Sequence, residues 1–149
     1  MECRVTPKAR VEPAEPQTDA ALAKLLAAIP FVATLGIEVV SATADEVVAR
    51  LAWRAELCTA GGALNGGALM SLADNAGGMC AFLNLPAGAG TATISSSTNF
   101  LHGVREGYVT GTCRPLRVGR TVIVLETELR DDGGRLVAHT TQAQAVIGP

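Results

Sequence analysis

The chain has 149 residues, of which 48% are hydrophobic, 17% charged and 3% aromatic. That length suits one domain burying roughly two-thirds of the surface its unfolded chain would expose, and a charged fraction below the usual ~25% excludes a disordered or coiled-coil chain. A formal net charge of −2 without a basic cluster removes the electrostatic footprint of a nucleic-acid binder. No apolar run reaches the ~20 residues of a membrane span, and Met1 to Arg10 carries no hydrophobic stretch of a secretory signal. The expectation is a cytoplasmic globule.

Residues 1–17 mix Pro with charge and read as a flexible tail, leaving 18–149 as a single domain. Thr18-Asp19 reads as a helix start with Ala21, Leu22, Leu25, Leu26 and Ile29 as its apolar stripe, stopped by Pro30. After Gly36 the period shortens. Ile37 and Val39 flank Glu38, and Ala49, Leu51 and Trp53 alternate with Arg50 and Arg54, which is strand spacing; Ala44-Asp45 serves as the turn between them. Over 65–83 Leu69, Leu72, Ala73, Ala76, Met79, Cys80 and Leu83 follow helical spacing. Four strand-like runs follow at 91–101, 108–118, 121–130 and 135–147, with Asp131-Asp132-Gly133-Gly134 as a strong hairpin signal. The pattern is α+β: a short helix, two strands, one long apolar helix, four strands.

Cys3, Cys58, Cys80 and Cys113 form no C-x-x-C pair and are expected to be reduced, mostly buried small hydrophobes. His102 and His139 stand at no metal-ligand spacing, so no metal or other cofactor is expected. A Cys58–His102 nucleophile pair lacks any activating motif around either residue.

The long helix carries the chemistry. Its only carboxylate is Asp74. At about 100° per residue Asp74 lies nearly opposite the stripe of Leu69, Leu72, Ala76 and Leu83. Beside it stand Gly67, Met70, Gly77, Gly78 and Ala81 where a solvated helix would present Lys and Glu. A carboxylate on a small, apolar second face points to a sheltered site, because burying an acid is costly and perturbed acids cluster at functional positions. The helix is entered through Gly61-Gly62-Ala63-Leu64-Asn65-Gly66-Gly67. Asn65 suits an N-cap, and the bare amides of Gly66 and Gly67, aided by the helix dipole, suit polarising a carbonyl.

Gly66 and Asp74 are eight residues apart, so about 12 Å along the axis. They cannot both reach one carbonyl from the same chain. If both act, the helix N-terminus of one subunit must face Asp74 of another, as an antiparallel pairing of two such helices across a two-fold axis provides. The low charge content then has a cause: the face carrying Asp74 is expected to be subunit interface.

Asn65-Gly66-Gly67-Ala68-Leu69-Met70-Ser71-Leu72-Ala73-Asp74 resembles the His-Gly-Gly-x-x-x-x-Leu-x-Asp signature of hotdog-fold acyl-CoA thioesterases of the phenylacetate-pathway (PaaI-like) type. Thr98-Asn99-Phe100-Leu101, Val118-Gly119-Arg120 and Asp132-Gly133-Gly134-Arg135-Leu136-Val137-Ala138 look like later strand motifs of that family, so the resemblance spans about residues 30–147. It implies an antiparallel sheet wrapped around one long helix, and homodimers commonly assembling to homotetramers with sites at the subunit interface. It also implies an acid at Asp74 acting as nucleophile or general base, and the Gly66 amide of the partner holding the thioester carbonyl of an acyl-CoA.

Two positions depart from the pattern: Asn65 stands where the signature has histidine, and Thr59 where the family often has asparagine. With Gly67, both are read as substrate-handling residues. A strand hydroxyl often assists opposite the acid, and Thr93, Ser95 and Ser97 are read as alternating onto one face. Arg120 heads a set with Arg105, Arg114 and Arg117 that suits the phosphates of CoA. Two other readings stand beside hydrolysis. A hotdog hydratase or dehydratase needs a histidine near the helix, which Asn65 removes. A non-catalytic acyl-CoA-binding module is motivated by Asn65 and Thr59, and opposed by Asp74.

Overall fold

Pro30 opens a helix. The computed structural model describes residues 29–148, so the helix expected from Thr18, and Cys3, lie outside the described residues. Within them α1 (Pro30–Leu35) begins with its proline in the first turn, where the missing N–H has no intrahelical partner to lose and the fixed φ suits the helix. Gly36, at φ 70°, turns the chain out of α1 and returns its N–H to Ala33 O at 3.1 Å. Such a left-handed cap is costly for any residue with a Cβ.

Strands β1 (Ile37–Ala42) and β2 (Val47–Ala52) pair antiparallel, Ile37 opposite Leu51, as the alternation predicts. Thr43 N–H donates to Glu46 O at 2.8 Å and Thr43 Oγ1 accepts from Glu46 N–H at 3.1 Å, which closes the turn at Ala44-Asp45. A short 3-10 turn (Ala55–Leu57) and a loop lead to α2 (Gly66–Leu83). Then come β3 (Gly90–Phe100), β4 (Tyr108–Val118), β5 (Val122–Asp131) and β6 (Leu136–Ile147), each within a residue of its expected bounds.

The six strands form one antiparallel sheet in the order β1-β2-β4-β5-β6-β3. The sheet wraps α2, the hotdog arrangement. The last hairpin is set by Asp131, whose Oδ1 accepts from Gly133 N–H at 3.1 Å and Arg135 N–H at 2.9 Å.

The core lies between α2 and the concave face of the sheet. Leu69, Leu72 and Ala73 pack with Ala49, Leu51, Val109, Leu129 and Val137 at one end. Ala76, Met79 and Cys80 pack with Val47, Cys113, Ile123 and Leu125 at the other. A fully buried leucine such as Leu72 contributes about 2–3 kcal/mol by leaving water. Gly111 of β4 lies under the helix, where a Cβ would stand in ordinary contact at 3.5 Å from both Leu72 Cγ and Thr127 Cγ2.

The buried Cys80 thiol is pushed up by its contact with the Cys113 thiol and then by burial, which suits packing and not nucleophilic chemistry. No helix among the described residues is long and apolar enough to cross a membrane.

Candidate active site

The N-terminus of α2 is held by its own loop. Asn65 has an extended backbone, and its Oδ1 accepts from Gly67 N–H at 2.8 Å, the expected cap. Asn65 N–H donates to Leu57 O and Leu64 N–H to Val104 O, both at 2.8 Å. Trp53 Nε1–H donates to Gly62 O at 3.1 Å, and Arg105 donates to Gly61 O. Thr59 closes the turn, its N–H and Oγ1 both bonded to Ala63 O at 2.8 and 3.3 Å. Gly66 N–H has no hydrogen-bond partner among the described residues. The ring of Phe100 lies over this residue, so that a Cβ at position 66 would stand 3.0 Å from Phe100 Cζ. A shallow cleft joins Gly66 and Phe100 with Leu69, Leu101 and His102. The result is a free amide at a helix N-terminus beside an apolar wall, suited to a carbonyl oxygen or an anion.

Asp74 lies two turns further along α2, on a separate cleft of about 340 Å³. Asp74, Thr93 and Gln144 form its polar side, and Ile29, Met79 and Phe82 its apolar side. Asp74 Oδ1 accepts from Thr93 Oγ1 at 3.3 Å and from Gln142 Nε2. Thr93 Oγ1 accepts in turn from Gln144 Nε2 at 2.9 Å, which turns its hydroxyl proton towards the carboxylate. Asp74 Oδ2 has no partner among the described residues, and Asp74 is exposed in the single chain. A carboxylate with one oxygen held by two donors and the other bare is arranged to accept a proton or to attack.

The structure brings some expected residues together and separates others. Asn65, Gly66 and Gly67 share the helix entry, and Thr93 meets Asp74. Ser95 does not join them. A bulge between Thr93 and Ser95 breaks the alternation, pairing Thr93 with Gln144 but Ser95 with Ala143. Thr93 and Ser96 therefore face the helix, and Ser95 and Ser97 the other side, because one inserted residue flips every later side chain.

Arg120 sits with Arg117 at the β4–β5 turn, lining neither cleft. Arg114 pairs with Glu46 and Arg105 is spent on Gly61 O. Cys58 and His102 line different clefts. The small-residue face of α2 also divides. Gly67, Met70 and Asp74 are open, whereas Gly77 and Ala81 are buried against this chain's own sheet.

Gln142 and Gln144 are absent from the sequence-based site. Both are nearly inaccessible, at 2% and 1% exposed. The signal lies in Thr140-Thr141-Gln142-Ala143-Gln144-Ala145. Period two sends either the Gln row or the Ala row inward, and hydrophobicity alone chooses alanine; polar groups at the site choose glutamine.

Residues 61–138 match the family model described as the thioesterase superfamily. A protein of Saccharolobus solfataricus carrying an esterase name is 34% identical over 104 residues, 70% of this chain and 74% of that one. The 1,4-dihydroxy-2-naphthoyl-CoA hydrolase of Escherichia coli K12 is 30% identical over 86 residues, 58% of this chain and 63% of its own. A solved structure from Ralstonia eutropha JMP134, described as a phenylacetic acid degradation-related protein of thioesterase type, superposes with a TM-score of 0.75 at 26% identity, covering 83% of this chain and 98% of that one. Aligned stretches span from 57% to 74% of the first curated relatives' own lengths. The chain belongs to the thioesterase superfamily, and its fold is the hotdog fold of the PaaI-like thioesterases.

Proposed function

We propose that the protein is an acyl-CoA thioesterase acting as a homodimer, in which Asp74 of one subunit and the Gly66 amide of the other serve the same thioester. The observation that carries this reading is Asp74 itself: the one carboxylate on α2, fixed through Oδ1 and bare at Oδ2 on a cleft with an apolar side. The free Gly66 amide is the complementary group. One chain keeps the two about 12 Å apart along α2. Edge strand β3, exposed along nearly its whole length with Ile94 at 60% and Phe100 at 51%, offers the surface for a second copy.

In the reaction Gly66 N–H receives the thioester carbonyl oxygen and stabilises the oxyanion as it forms, an effect of roughly 3–4 kcal/mol per donor in other enzymes. Asp74 Oδ2 takes a proton from water as the water oxygen bonds to the carbonyl carbon. The carbon–sulfur bond then breaks, and the proton passes to the CoA thiolate, leaving free acid and thiol. In direct attack Oδ2 bonds to the carbonyl carbon and the CoA thiolate leaves, giving an acyl-aspartyl anhydride; water opens it to free acid and Asp74, and the proton released passes to the thiolate. The acyl group is assigned to the Ile29–Met79–Phe82 side of the cleft, with Asn65, Gly67 and Thr59 shaping the entry and Arg117 and Arg120, at the β4–β5 turn, as candidates for CoA phosphates.

The test is thiol release from benzoyl-CoA and hexanoyl-CoA combined with subunit mixing. Asp74→Asn and Gly66→Val homodimers should each be inactive. Co-refolded together, they should regain about a quarter of wild-type activity, because half of the dimers are mixed and each mixed dimer holds one intact site. Wild-type turnover by Asp74→Asn, or no recovery on mixing, sinks the reading.

A further inference from the structure

Gln142 is a buried amide with an unmet need. Its Nε2 donates to Asp74 Oδ1 and lies 3.4 Å from Thr93 Oγ1, while its Oε1, shut off from solvent, has no partner among the described residues. Burying an unpaired amide oxygen is costly, and an apolar side chain of similar length would fill the same volume without that cost. The helix has also made room for it. A Cβ on Gly77 would lie 1.8 Å from Gln142 Oε1 and 2.9 Å from its Cδ, so only glycine at 77 lets the amide pass beneath α2 to reach Asp74. A glycine in a helix interior is destabilising relative to alanine. Two unfavourable choices, on elements far apart in sequence, converge on one carboxylate oxygen.

We infer that Gln142, seated in the slot left by Gly77, is a positioning residue for the reaction: it clamps Asp74 Oδ1 so that Oδ2 is the oxygen presented to water or thioester. This rests on the role proposed for Asp74. Thr93 gives the second donor to the same oxygen, and Gln144 orients Thr93.

Gln142→Met keeps the length and removes the donor. In the dimer, with benzoyl-CoA and hexanoyl-CoA as probes, it is expected to lower kcat about tenfold or more, the scale of one lost hydrogen bond to a charged group, with KM within twofold. Gly77→Ala, which displaces the amide, should lower kcat similarly, and the double variant should be no worse than either single one. On an Asp74→Asn background Gln142→Met should change the residual rate less than twofold; a purely structural role would cut it by the same factor as in wild type.

A readout free of activity is the Gln142 side-chain amide in a ¹⁵N spectrum. One Nε2 proton should be shifted downfield and slow to exchange in the wild type, and return to the ordinary amide position in Asp74→Ala, which removes the acceptor. Unchanged kcat in Gln142→Met, equal losses on both backgrounds, or an amide signal indifferent to Asp74 each overturns the inference. Full turnover by Asp74→Asn instead faults the reading of Asp74, and the amide signal still decides whether Gln142 holds it.

Discussion

The two ends of the proposed site are built on one helix by different means. At the entry of α2 the working group is backbone: the Gly66 amide, left free by an Asn65 cap that satisfies Gly67 instead. Eight residues on, it is a side chain, Asp74, held by donors from β3 and β6. The first needs a neighbour that stays out of the way, and glycine under the Phe100 ring provides it. The second needs neighbours that reach in, and Gln142 and Thr93 do. A backbone donor is placed by local geometry alone, whereas a carboxylate is aimed only by tertiary contacts. The helix spaces the two so widely that a single chain leaves each without the other.

The sharpest way to break this contrast is Asp74→Asn, which keeps shape and removes the base or nucleophile. Hydrolysis of benzoyl-CoA should fall by about 10³-fold or more, with a melting temperature close to wild type because Asp74 is exposed in the chain. Retained turnover would move the chemistry off this helix. Gly66→Ala probes the other end. Its methyl meets Phe100, so the amide or the ring must shift, and kcat is expected to drop about 10²-fold, the scale of a lost oxyanion donor. Gly66→Ala combined with Phe100→Ala should recover part of that loss; no recovery would exclude the steric account.

Thr93→Val removes one of the two donors to Asp74 Oδ1 and should cost kcat about fivefold, whereas Ser95→Ala, on the opposite face after the bulge, should leave it within twofold. Equal effects would reinstate plain alternation along β3. The smallest effect lies away from both ends, in the last hairpin. There burial works to raise the Asp131 carboxyl, but the Arg135 amide and guanidinium and the Gly133 amide outweigh it and hold the group below its usual value. A lowered folded value means stability that is full at neutral pH and is lost as pH falls through that value. Asp131→Asn should therefore flatten the acid limb of a melting-temperature profile while leaving thiol release at neutral pH unchanged.

Much of this was legible in the chain. Strand bounds from 90 to 147 followed from period two and from turn residues such as Gly133-Gly134, because those signals are local. The Asn65 cap and the span of α2 were equally plain, and the eight-residue interval between Gly66 and Asp74 asks for a second subunit if both groups serve one carbonyl. The start of α1 at Pro30 was not foreseen, because proline suits a first helical turn as well as the position after a last one. Ser95 misled because a bulge leaves no mark in composition. Gln142 escaped because its role is defined by a glycine 65 residues earlier and an acid 68 residues earlier.

Length, spacing and capping thus determined the element order, the helix that bears the site and the distance between its two groups, all of them consequences of backbone rise and local hydrogen bonding. Tertiary structure alone decided which face of β6 turns inward, where β3 slips by a residue, and which donors fall on Asp74. Those depend on strands brought together from opposite ends of the chain, and no local rule carries that information.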